Sequence, residues 1–127
     1  MINKKVNLSV IVPFYNEEHE IEGLFHDIEN FEIKHPNLIK EYIFINDCSN
    51  DSSFSKISQL FDVTNKNLQR KMIIHSNEKN IGWCKSLIKG YEMAVGESIL
   101  FIPGDGEAKL TEFLNPSIDL EKEIITF

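Results

Sequence analysis

The chain has 127 residues, 42% of them hydrophobic and 26% charged, with a formal net charge of −7. That size fits a single domain with a real core, and the acidic balance excludes nucleic acid as a main partner, because a polyanion needs a basic face. A small anionic ligand stays open provided a cation comes with it.

The first element is "NLSVIVPF", a β-branched run closed by Pro13 that reads as a strand buried on both faces. "NEEHEIEGLFHDIENF" follows, with Ile21, Leu24, Phe25, Ile28 and Phe31 at helical spacing and Asn16 as the expected N-cap. "EYIFIN" is the second strand. It runs into "DCSNDSS", a loop of turn and capping residues, with Ser49 or Asp51 read as a helix cap. "SFSKISQLF" predicts a short helix with Phe54, Ile57, Leu60 and Phe61 inward, and "VTNKNLQR" a polar loop. "KMIIHS" is the third strand. A helix from about Trp83 to Val95 comes next, with Leu87, Ile88, Tyr91 and Val95 on one side; the stripe of Trp83, Leu87 and Tyr91 reads as core. Gly90 within that helix predicts a close approach. "SILFIP" is the fourth strand, a short helix is expected near Lys109 to Leu114, and "EIITF" reads as a fifth strand.

Strand and helix alternate without tight hairpins. The fold class is therefore α/β, a mostly parallel sheet with helices on both faces. No apolar run reaches membrane-spanning length. Cys48 and Cys84 lie in no metal-ligand spacing and suit a reducing compartment, which reads as cytoplasmic. The four histidines form no ligand pattern either.

In an open parallel sheet, ligands bind beyond the carboxyl ends of the strands, where strand order reverses. Here those ends carry "PFYNEE", "NDCSND", "SNEKNIG" and "PGDGE". With a strand order of 3-2-1-4, Asp105 and Glu107 would point into the crevice beside Tyr15 and Glu17, with Asp47 on one flank. Each feature also has a plain structural reading: "PGDG" is a turn sequence, and Glu17 and Glu18 complement a helix start. Their convergence on one sheet edge is what favours a site. The glycine fingerprint for dinucleotides and the phosphate-binding loop of nucleotide hydrolases are both absent. Two carboxylates on a bare backbone suggest another solution, a divalent cation bridging to a diphosphate.

Four of these stretches, in order, resemble the family 2 nucleotide-sugar glycosyltransferases of the GT-A fold, a Rossmann-like nucleotide-binding half. "SVIVPFYNEEHEIEGL", "YIFINDCSNDSS", "NIGWCKSLIKGYEMAVGE" and "ILFIPGDGE" are similar to that family's motifs between about Leu8 and Leu114. Members similar to polyprenol-phosphate mannosyltransferase suggest themselves. The resemblance implies that Pro13, Tyr15, Glu17, Asn46, Asp47, Asn80 and Gly104 line a nucleotide site. It implies that Asp105 and Glu107 hold Mg²⁺ or Mn²⁺. The donor would be a UDP- or GDP-sugar. The implied reaction is inverting hexosyl transfer to a lipid-phosphate or saccharide acceptor, as in making cell-envelope polysaccharide, at the inner membrane face if the acceptor is a lipid. Two positions depart from the family: Pro103 replaces the first Asp of Asp-x-Asp, and Asn46 the first Asp of the second-strand pair.

The family's acceptor half and catalytic base come after the Asp-x-Asp region. Residues 1–127 are thus expected to form one donor-binding domain truncated before that half, poorly active alone, with a sticky sheet edge that favours self-association. A non-catalytic nucleotide-binding module is the first alternative. A phosphoacceptor receiver domain, also five-stranded, is the remote one.

Overall fold

The structure is a computed structural model that describes residues 7–68, 71–105 and 125–126. Its strands are β1 (Leu8–Phe14), β2 (Ile39–Asn46), β3 (Lys71–Ser76), β4 (Ser98–Phe101) and β5 (Ile125–Thr126). Its helices are α1 (Ile21–Lys34), α2 (Ser53–Leu68) and α3 (Trp83–Met93). The strands form one sheet in the order β3-β2-β1-β4-β5, with β5 antiparallel to β4 and the other pairings parallel. The α/β class and the 3-2-1-4 order are as the sequence predicts. A receiver-type sheet would run 2-1-3-4-5, so that alternative falls.

Side chains along the central strands alternate between two cores, as the two-residue period of a strand requires. Leu8, Val10, Val12 and Phe14 of β1 and Tyr42 and Phe44 of β2 join Ile21, Phe25, Ile28 and Phe31 of α1 and Ile57 of α2. The rings of Phe25 and Phe44 stack with centroids 5.3 Å apart. On the opposite face, Ile11, Ile43, Ile45 and Ile99 meet Leu87 and Met93 of α3. Every residue of β1 is buried, in keeping with a strand covered on both sides. A Cβ at Gly90 would stand 2.5 Å from Ile11 Cγ2, so the helix approaches β1 as closely as expected.

Three expectations need correction. α1 starts at Ile21, not Asn16, because Asn16 is left-handed (φ 53°) and the Glu20 amide closes a turn onto Glu17 O at 2.9 Å. α2 continues to Leu68, so the polar stretch after Phe61 is helical; no Gly or Pro interrupts it, and Thr64, 2% exposed, faces α1 through a hydroxyl bond to Glu29 Oε1 at 3.4 Å. Phe54, expected inward, is exposed. The third correction concerns α3, which ends at Met93 and leaves Trp83, Ile88, Tyr91 and Val95 exposed. α3 packs on β1 and β2 through the buried Ser86 and Gly90, with Leu87 and Met93 partly buried beside them. The expected helix near Lys109 to Leu114 lies outside the described residues.

Candidate nucleotide site

The β1–β4 ladder ends at the pair Ile11–Phe101, while β1 runs three residues further beside β2. The segment after β4 nevertheless stays on β1, with Ile102 N donating to Ile11 O at 2.9 Å, at the point where strand order reverses. Pro13, which lacks an N–H, still offers its carbonyl, which accepts the Gly104 amide at 3.1 Å. Gly104 is buried against β1, and a Cβ there would stand 2.7 Å from Phe14 Cβ, so the turn after β4 needs glycine to lie this close.

A pocket of about 400 Å³ opens at this carboxyl edge. Pro13, Phe14, Tyr15 and Glu17 form one wall, Phe101, Pro103, Gly104 and Asp105 another, and Trp83 and Leu87 of α3 the third, with Asp47 at the junction. The lining is mostly apolar with a few convergent carboxylates, the usual character of a small-ligand site.

The loop after β2 fixes the loop after β1. Three backbone amides of the first loop donate to the second: Asn16 N to Ser49 Oγ (3.1 Å), Glu17 N to Ser53 Oγ (2.6 Å) and Glu18 N to Asp51 Oδ2 (3.3 Å). In return Asn50 N donates to Asn16 Oδ1, Ser52 N to Glu18 Oε2 and Lys56 Nζ to Glu18 O. Asp51 also caps α2 through Ser53 N at 2.8 Å, the role expected of it. Burial pushes its carboxyl up, but the Ser53 hydroxyl, the Ser53 amide and the Glu18 amide outweigh that and hold it below its ordinary value. Glu18 is thus spent on the neighbouring loop, and Glu17 is left for the pocket. Asn16 and Cys48 both have positive φ (53° and 59°), the sparsely populated region for residues other than glycine.

Glu17 is the electrostatically perturbed group. Burial raises its carboxyl above the ordinary 4.5, and the nearby Asp105, Glu20 and Asp51 carboxylates raise it further. Glu17 and Asp105 together therefore make a small region of negative potential at the pocket wall. A cation between them would relieve it. Among the described residues no group of three or more His, Cys, Asp or Glu side chains could hold a metal ion. Two carboxylates are nevertheless the donor set that suits a Mg²⁺-like ion whose remaining ligands are water and substrate phosphate. Glu107, the second expected ligand, lies outside the described residues.

The structure brings Pro13, Tyr15, Glu17, Asp47, Gly104 and Asp105 to this one pocket. Asn46 and Asn80 sit behind it. The Asn46 side chain is buried, donating from Nδ2 to Ser76 Oγ at 3.2 Å and accepting Ser49 N at 2.9 Å. Asn80 Nδ2 donates to Asp47 O at 3.3 Å. Asp47 itself accepts three hydrogen bonds, from Asn77 Nδ2 (3.0 Å) and Ile81 N (2.8 Å) at Oδ1 and from Gly82 N (2.9 Å) at Oδ2. Trp83, like Leu87, lines the pocket although the sequence places it in the core. The one hint to it was its place directly after "NIG", at a helix start beside a strand's carboxyl end.

A sheet of this order with its pocket at the switch point is the scaffold of GT-A glycosyltransferases, and solved structures of that class superpose on it. The chain belongs to glycosyl transferase family 2, whose pattern it matches over residues 9–115. It is 33% identical over 101 residues to the uncharacterized glycosyltransferase sll0501 of Synechocystis sp., covering 79% of this chain and 30% of that protein. The mannosyltransferase PcManGT of Pyrobaculum calidifontis, solved in complex with GDP-Man and Mn²⁺, matches with a TM-score of 0.69 at 22% identity, over 80% of this chain and 28% of that one. TarS 1-349 of S. aureus matches with a TM-score of 0.64 at 26% identity, over 79% of this chain and 28% of that one. The chain thus spans under a third of the length of these relatives. Among the described residues no helix is long and apolar enough to cross a membrane.

Proposed function

We propose that this chain is the donor-binding part of an inverting glycosyltransferase that takes a UDP- or GDP-sugar together with Mg²⁺ or Mn²⁺. The observation that carries the reading is the presence of Glu17 and Asp105 on the lining of one switch-point pocket, where burial and then the Asp105 charge raise the Glu17 carboxyl. The Mn²⁺ and GDP-Man in the related mannosyltransferase structure support the choice of ligands.

Asp105 would hold the ion, with Glu17 contributing charge beside it and the diphosphate oxygens completing the shell. When bound, the ion supplies neutralising charge to the departing diphosphate. The chain's own residues do the rest. Pro13, Tyr15 and Gly104 shape the wall, and the tightly bonded loop after β1 keeps Glu17 in place before the ligand arrives. That preformed geometry limits the ordering cost of binding. The acceptor would be a lipid phosphate or a saccharide, and its activating base is assigned to no described residue. Binding without transfer is a second reading, favoured by Pro103 at a pocket position where the family resemblance leads one to expect an Asp that contacts the donor.

Calorimetric titration with GDP and UDP, with and without Mn²⁺, tests the proposal. Metal-dependent binding that falls about tenfold or more in Asp105→Ala is expected. Equal affinity in the variant, or none in the parent chain, would overturn it.

A further inference from the structure

Trp83 stands where the fold has no use for it. It is the chain's one tryptophan, it is 70% exposed, and it lines the pocket as the first residue of α3. A large indole left out of the core forgoes hydrophobic stabilisation that burial would give. The residue just before it is held with unusual care. Gly82 has φ +89°, a conformation that L side chains rarely adopt, and its amide donates to Asp47 Oδ2 at 2.9 Å. The Ile81 amide and Asn77 Nδ2 occupy Oδ1 of the same carboxylate. Asn77 Nδ2 also reaches Ser86 Oγ at 3.1 Å, and Ser86 N closes onto Gly82 O at 3.1 Å. Asp47 is 3% exposed and Ser86 is fully buried. The end of β2 and the first turn of α3 are therefore one frame, and the frame ends at the indole.

We propose that Trp83 is the surface on which the nucleoside's base stacks, and that Asp47 is a positioning residue acting through it by clamping the first turn of α3. This rests on the nucleotide-site reading above and adds to it the base-contacting residue. A nucleobase offers a flat face to an indole, and stacking on an aromatic side chain tolerates any base. The diphosphate then extends toward Asp105 and Glu17 on the other walls. Asp47, which family resemblance assigns to the base or ribose, already accepts three hydrogen bonds from the chain, two at Oδ1 and one at Oδ2. It contributes by fixing where α3 begins.

The test uses the full 127-residue chain and the probes Mn²⁺–GDP and Mn²⁺–UDP. Trp83 is exposed, so its variants keep the fold. Trp83→Ala is expected to weaken binding about tenfold or more, and Trp83→Phe by about threefold or less. Asp47→Asn puts an amide N–H against the Gly82 N–H. It should weaken binding in the parent chain yet add nothing in the Trp83→Ala background, a dependence that a purely structural role would not produce. As the lone indole, Trp83 should also lose fluorescence, and lose access to acrylamide, as nucleotide saturates. If the parent chain binds nucleotide while Trp83→Ala binds within twofold of it, or if saturation leaves the emission and quenching unchanged, the stacking role is overturned and the nucleotide site stands. Absence of binding to the parent chain overturns both.

Discussion

Glu41 near the amino end of β2 and Asp47 just past its carboxyl end are both buried carboxylates that hold backbone amides, and they sit in different company. Glu41 Oε2 accepts the Ser9 hydroxyl and the Val95 amide, each at 2.6 Å, and Gly96 N donates to Ser9 Oγ at 2.8 Å. Glu41 Oε1 is buried without a hydrogen-bond partner among the described residues. That knot ties the α3–β4 connection to the sheet, and none of its residues lines the pocket described above. Asp47 engages both oxygens and holds a helix start that reaches the pocket. Burial of a charged group therefore says that it is needed, not what for. What its donors are attached to decides between the two.

The difference can be broken from either end. Glu41→Ala should give the largest loss of stability, about 3 kcal/mol by urea unfolding, since it strands a buried amide and hydroxyl, with nucleotide affinity of the folded molecules unchanged. Asp47→Ala should cost about 2 kcal/mol and, unlike Glu41→Ala, also weaken nucleotide binding. Asp105→Ala is the converse. Being exposed, Asp105 should leave unfolding within about 0.5 kcal/mol while metal-dependent affinity falls about tenfold. Ser53→Ala removes the acceptor of the Glu17 amide and should lower stability by about 1 kcal/mol, with a small loss of affinity.

The smallest effect belongs to Glu17→Gln and carries the opposite sign. The folded state holds this carboxyl above its ordinary 4.5. The native state therefore pays for ionising it as pH rises through that range, and the penalty persists at neutral pH. The glutamine variant should be slightly more stable than the parent at neutral pH, and no more stable below 4.5, in thermal melts across pH. A divalent ion with nucleotide should narrow that gap by favouring the charged form.

The sheet was legible because its strands are β-branched runs closed by Pro, Asn or polar turns, and α1 because five apolar residues repeat at helical spacing. The pocket was legible in outline, since strand ends in a 3-2-1-4 order gather at one edge. What stayed hidden depends on long-range geometry. Nothing local distinguishes an Asn that caps a helix from one, like Asn16, whose side chain accepts a loop amide across the site. The apolar stripe on α3 has helical spacing, but that spacing does not say which face the sheet will take. Ser86 and Gly90 took it, with Leu87 partly buried beside them, and Trp83, Ile88 and Tyr91 were left outside. Asp47 was legible as a residue of the pocket edge, but the three hydrogen bonds it accepts from Asn77, Ile81 and Gly82 were not, because they join segments about thirty residues apart.

The six hydrogen bonds between the loops after β1 and β2 have a consequence for genetics. A screen for variants that lose the proposed nucleotide binding would return Ser49, Asp51 and Ser53 alongside residues that line the pocket. Anyone mapping the substrate from that collection would draw its outline one loop too wide.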